Sequence, residues 1–161
     1  MADDPSTLQY IASAARDIVE RLQDHGHVAY WAGGCVRDRL LDQTPTDYDI
    51  ATDALPEEVI ALFPGALEVG RAFGVLIVQH AGCDIEVATF REEGGYEDGR
   101  HPDFVTFSTD ARDDAKRRDF TVNAMFYDPI SDTLHDYVGG KQNHADGIIR
   151  CVGVATDRIN D

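Results

Sequence analysis

From Ser6 to Leu22 the apolar residues Leu8, Ile11, Ala12, Ala15, Ile18, Val19 and Leu22 recur three and four positions apart. That spacing predicts an amphipathic helix with Ser6 or Thr7 available as its N-cap, ended by His25-Gly26. His27 to Ala32 is then an apolar, aromatic run of strand length that stops at the pair Gly33-Gly34. A second helix is expected to start near Gly34, with Val36, Leu40 and Leu41 on its buried face. In the run Ala54 to Phe63, proline stands near the start and acids fill the first turn, which predicts a third helix stopped by Pro64-Gly65. Val69, Phe73–Val78 and Asp84–Thr89 read as strands, the last two joined by a hairpin at His80–Cys83. Glu92 to Arg100 is glycine-rich and charged without periodicity, so a mobile loop is expected there, followed by a short strand at Phe104–Phe107. Asp110 to Arg118 predicts a helical segment with charges on a solvated face, and Thr121 to Tyr127 is apolar again. Helix followed by hairpin, rather than strict strand-helix alternation, points to a mixed α/β (α+β) fold with a mainly antiparallel sheet flanked by helices.

Composition narrows this picture. A chain of 161 residues suits one domain with a sizeable core. No apolar run approaches membrane-spanning length, and Met1-Ala2-Asp3-Asp4-Pro5 lacks the basic-then-apolar order of a signal peptide, so a cytoplasmic protein without membrane contacts is expected. Cys35, Cys83 and Cys151 are widely spaced, which indicates reduced thiols rather than a disulfide framework or a zinc knuckle. The formal net charge of −16 opposes long-range attraction to a nucleic-acid backbone. The basic residues nonetheless cluster, at Arg37 and Arg39, Arg91, Arg100 and Lys116-Arg117-Arg118. A local positive site in an acidic surface suits a small anion better than a long RNA.

The candidate chemistry lies in Gly33-Gly34-Cys35-Val36-Arg37-Asp38 and Pro45-Thr46-Asp47-Tyr48-Asp49-Ile50-Ala51-Thr52. A strand, a glycine turn and a helix start would present unpaired backbone N–H groups to a phosphate, and Arg37 could add a guanidinium fork. Asp47 and Asp49 are two apart, so on a strand both carboxylates leave one face while Tyr48 and Ile50 face the core. Such a pair repels unless a cation bridges it or one member takes a proton, and hard oxygen ligands beside a phosphate suit Mg²⁺. A bare Asp-x-Asp is commonly a surface turn; the glycine and arginine elements just upstream shift the balance toward a site. Glu86 alternates with Ile85 and Val87 and shares a face with Asp84, for which solvent exposure is a sufficient explanation. At Arg117-Arg118-Asp119-Phe120 the charged segment turns apolar, so an arginine there is anchored by packing on one side and suits a triphosphate clamp.

These motifs, together with Ile85-Glu86-Val87-Ala88-Thr89-Phe90-Arg91, Asp98-Gly99-Arg100-His101-Pro102-Asp103 and Arg117-Arg118-Asp119-Phe120-Thr121-Val122-Asn123-Ala124-Met125, resemble in the same order the head domain of class II CCA-adding enzymes and bacterial poly(A) polymerases. Those are template-independent nucleotidyltransferases of the polymerase-beta superfamily. The resemblance implies a head domain over residues 1–140, its first helix within 1–24, with 141–161 starting a neck that is cut short. It also implies Mg²⁺-dependent transfer of AMP or CMP from ATP or CTP to an RNA 3′ hydroxyl, expected to be that of a tRNA, with two Mg²⁺ ions. It makes Asp47, Asp49 and Glu86 the catalytic and metal-binding acids. It assigns the nucleotide to Gly33, Gly34, Arg37 and Arg118 with Asp119 beside it, and leaves Arg117 a structural partner. Thr133 to Gly140 resembles the family's closing strand and glycine turn, after which the likeness loosens at Lys141-Gln142-Asn143-His144. RNA is expected to be held mainly by regions outside this chain. CCA addition, A-only or CC-only addition and poly(A) synthesis remain open, as does a non-catalytic nucleotide- and metal-binding module.

Overall fold

The computed structural model describes residues 5–70, 73–94, 104–118 and 124–137. The element order is α1 (Pro5–Asp24), β1 (Ala29–Ala32), α2 (Gly34–Leu40), β2 (Asp49–Thr52), α3 (Pro56–Leu62), β3 (Leu67–Gly70), β4 (Val75–His80), β5 (Cys83–Thr89), β6 (Arg91–Gly94), β7 (Phe104–Phe107), α4 (Ala111–Lys116), β8 (Met125–Asp128) and β9 (Thr133–Asp136). A seven-stranded sheet runs in the order β3-β4-β5-β2-β1-β8-β9, and β6 and β7 form a separate hairpin. Among the described residues of the large sheet, only β2 and β5 pair parallel. That parallel pair requires a crossover, which α3, β3 and β4 supply. The expected mixed, mainly antiparallel sheet flanked by helices is the fold observed.

Alternation along the strands sorts side chains onto two faces. One face gathers Ala29, Trp31, Ile50, Leu76, Val78, Ile85, Val87 and Met125 under Ala14, Ala15, Ile18, Val19 and Leu22 of α1 and Val59 of α3. Ile18, Val19 and Leu22 are completely buried. Each such side chain contributes about 1.5–3 kcal/mol by leaving water, which holds α1 down far more firmly than helix propensity could. α3 starts with Pro56 in its first turn, and the Leu55 N–H donates to Glu58 Oε1 at 3.0 Å. The opposite face carries a smaller cluster, in which Ala32, Ala51, Phe90 and Phe126 meet Ala111 and Ala115 of α4.

Two expectations change. Leu41 is 44% exposed, because α2 closes at Leu40 and Leu41 is its C-cap, turned off the buried stripe. Glu92 to Gly94, expected in a loop, belong to β6, where Arg91, Glu92, Glu93 and Gly94 face Phe107, Thr106, Val105 and Phe104. Pairing with a distant strand satisfies this backbone and overrides its polar composition. The rest of the expected loop, Asp119, the turn at Gly139-Gly140 and the stretch 141–161 lie outside the described residues.

Candidate active site

β2 begins at Asp49, one residue after Tyr48, so Asp47 precedes the strand instead of lying on it. The alternation holds upstream all the same. Tyr48 and Ile50 are buried, while Asp47 and Asp49 open to solvent on the other side. In β5 the same pattern buries Ile85 and Val87 and leaves Glu86 partly accessible. The parallel register sets Asp49 against Glu86, while β1 places Ala32 on the far side of Asp49 and β8 places Phe126 beyond Ala32. One row across the α4-bearing face thus reads Glu86, Asp49, Ala32, Phe126. The alanine keeps its centre low.

At the end of β1 the chain turns at Gly33, whose φ of 74° is the left-handed region that favours glycine. A Cβ built on Gly33 would lie 3.7 Å from both Arg118 Nη1 and Asp49 Oδ2, and one on Gly34 would lie 3.4 Å from Arg37 Nη2. Val36 and Arg37 donate back to the Gly33 carbonyl at 3.1 and 3.4 Å. The N–H groups of Gly34 and Cys35 therefore precede the first intrahelical donor, Val36 N–H, and have no acceptor in the helix. The fold brings both glycines, both expected arginines and Asp49 to one spot. Arg39 is not among them, because its guanidinium lies over the Tyr127 and Trp31 rings at 4.7 and 5.4 Å, on the α1 side of the sheet. Arg91 Nη1 donates to the Phe73 carbonyl at 2.7 Å, a tether within the fold.

Arg118 follows α4, with its guanidinium 5.3 Å from the centre of the Phe126 ring. Its Nη2 and Nε donate to Asp114 Oδ2 at 2.9 and 3.3 Å, and Arg117 Nε donates to Asp114 Oδ1 at 2.9 Å. Asp114 departs from the solvated face expected for the charges of 110–118. Its side chain is only 1% exposed. The available signal was its spacing, three and four residues before the arginines on a helix, which puts them on one face. Burial pushes the Asp114 carboxyl upward, but the Arg118 and Arg117 charges and hydrogen bonds outweigh it and hold the group below its ordinary range.

Asp49 behaves oppositely. Burial first, then the charge and hydrogen bond of Glu86, push its carboxyl up to about 6, with Asp47 adding to the rise and Arg118 opposing it. The residue as a whole is open to solvent, so the desolvation belongs to the inner side of the carboxyl, against Gly33, Arg118 and Glu86. Among the described residues, no three acids, histidines or cysteines stand close enough together to hold a metal ion. The close pair Asp49 and Glu86, with Asp47 within electrostatic reach, is still the donor set a hard divalent cation would relieve of its repulsion.

Relatives carry the same arrangement of chain. Residues 29–150 match the Poly A polymerase head domain. A CCA-adding enzyme of Geobacillus stearothermophilus is 46% identical over 147 residues, which is 91% of this chain and 36% of that protein. One of Lactobacillus delbrueckii subsp. bulgaricus is 40% identical over 151 residues, 94% of this chain and 38% of that protein. The crystal structure of the Bacillus stearothermophilus CCA-adding enzyme in complex with CTP superposes with a TM-score of 0.82 at 42% identity, covering 92% of this chain and 35% of that one. The Thermotoga maritima CCA-adding enzyme complexed with tRNA superposes at 0.65 with 27% identity, covering 93% and 33%. The chain spans little more than a third of the length of the curated relatives it matches. With the glycine turn, the acidic row and the arginine after α4 all inside the matched residues, the chain belongs to the Poly A polymerase head domain family.

Proposed function

We propose that this chain is the nucleotide-binding head of a template-independent RNA nucleotidyltransferase that transfers AMP or CMP from ATP or CTP to an RNA 3′ hydroxyl, that of a tRNA. The observation that carries this reading is the meeting of opposite charges over one glycine. Arg118 Nη1 and Asp49 Oδ2 both lie 3.7 Å from the Gly33 Cβ position, so an anion clamp and a cation ligand share one small cradle. A nucleoside triphosphate with its divalent ion has the matching charge distribution.

Asp47, Asp49 and Glu86 would hold Mg²⁺, with two ions proposed. Bound there, the metal would favour the ionised attacking hydroxyl and offset charge on the departing pyrophosphate. The remaining work falls to the protein. Gly33 and Gly34 let the backbone approach the phosphates, and Arg37 and Arg118 add planar donor forks that fix their orientation. Asp119, outside the described residues, is assigned to the same nucleotide. Orientation lowers the barrier by settling in advance the alignment of hydroxyl, phosphorus and leaving group. All these contacts fall on parts common to every nucleoside triphosphate, so the head by itself should bind ATP and CTP with little distinction.

Titration of ATP and CTP into the chain with MgCl₂, followed by calorimetry, tests this reading. Arg37→Lys and Arg118→Lys should each raise Kd several-fold, because a point charge cannot reproduce a two-bond fork. Unchanged constants in both variants would move the triphosphate site elsewhere.

A further inference from the structure

We propose that Asp114 is a positioning residue for the triphosphate, acting through Arg118, whose guanidinium it holds by one edge while the other edge faces the glycine turn. This rests on the reading of Arg118 as a triphosphate ligand.

The geometry divides the guanidinium in two. Nε–H and one hydrogen of Nη2 go to Asp114 Oδ2, at 3.3 and 2.9 Å, which leaves Nη1 and the second Nη2 hydrogen as the fork for a phosphate. Nη1 points the other way, beside Gly33. The Phe126 ring closes one side of the group. An arginine side chain carries four rotatable bonds, and a phosphate that had to order them would bind less well. Here the ordering is already done in the folded protein.

Asp114 is itself anchored. Its Oδ1 accepts from Arg117 Nε at 2.9 Å and from the backbone N–H of Arg91 at 3.2 Å. Arg91 opens β6, so the carboxylate refers Arg118 to a strand end as well as to its own helix. The neighbouring acid does something else, since Asp113 Oδ2 accepts from Ser108 Oγ at 2.6 Å. A side chain 1% exposed that receives four hydrogen bonds from three residues is a fixed post. A buried carboxylate is costly, and this one is retained where a positioned arginine reaches the candidate cradle.

The test is a double-mutant cycle read by ATP binding with MgCl₂. Asp114→Asn keeps the shape but removes the charge, and Asp114→Glu keeps the charge but lengthens the arm. Each is made in the parental chain and in Arg118→Ala. In the parental background Kd should rise about tenfold for Asp114→Asn and about threefold for Asp114→Glu, within the coupling range of residues in one ion-pair network. In Arg118→Ala both effects should shrink below about twofold, because the route from Asp114 to the phosphate is gone. Circular dichroism checks folding, and if Asp114→Asn does not fold, Asp114→Glu completes the same cycle. Equal losses in both backgrounds would mean a general structural role and would overturn the proposal. Loss on Arg118→Ala but none on a folded Asp114 variant would overturn it while sparing the functional reading. An Arg118→Ala chain that binds ATP like the parent would overturn both.

Discussion

Asp49→Asn should make the metal-free protein more stable at neutral pH, although it removes a proposed catalytic acid. In the folded chain the Asp49 carboxyl titrates near 6 instead of its ordinary 3.8, because burial and Glu86 disfavour its charge. A raised carboxyl binds its proton more tightly folded than unfolded, so ionisation costs stability. That cost is absent below pH 3.8, grows between 3.8 and about 6, and is complete above. The full shift would correspond to roughly 3 kcal/mol at about 1.4 kcal/mol per pH unit. Solvent access to Asp49 reduces this to about 1 kcal/mol. For a chain of this size that is about 2–4 °C in Tm. Thermal unfolding followed by circular dichroism at pH 7.5, without divalent ions, should place Asp49→Asn above wild type by about that interval. The gap should mostly close at pH 4.5. Adding MgCl₂ should raise the wild type but not the variant, since the cation relieves the same repulsion. A variant that melts at or below the wild-type temperature at pH 7.5 would show that Asp49 and Glu86 do not strain the folded state, and the electrostatic basis of the cation site would fall.

Two further outcomes probe the scaffold. Gly33→Ala forces a side chain into φ 74°, ψ −138°, at a cost of about 1–3 kcal/mol; its methyl has room at 3.7 Å from its neighbours, so the fold should survive while ATP binding weakens, as denaturation and calorimetry would show. Leu22→Ala, at a fully buried position in α1, should cost about 2–5 kcal/mol as a lower urea midpoint with an unchanged slope, and a loss below about 1 kcal/mol would mean that α1 does not seal that face of the sheet.

Much of this protein is legible in local spacing. The amphipathic stripe from Leu8 to Leu22 foretells α1, and the alternation around Asp49 and Glu86 foretells which side chains leave the core, because the helical and strand periods decide facing before any partner is known. The glycine pair after an apolar strand foretells the turn for the same local reason. The sequence motifs also carry the family resemblance, and with it the mixed sheet. Which residues meet is another matter. That Asp49 stands beside Glu86 depends on the parallel register of β2 and β5, whose residues lie 37 positions apart in the chain. That Glu92 to Gly94 form a strand depends on β7, and that Arg39 stacks away from the site while Arg118 reaches it depends on which face of the sheet each helix covers. Asp114 shows the division most clearly. In the sequence it is one acid among several on a charged helix, and its spacing to Arg117 and Arg118 says only that the three share a helix face, not that the face is buried. Only the packing of α4 against Phe90 and Phe126 removes it from water, and a carboxylate in that place must collect the donors around it.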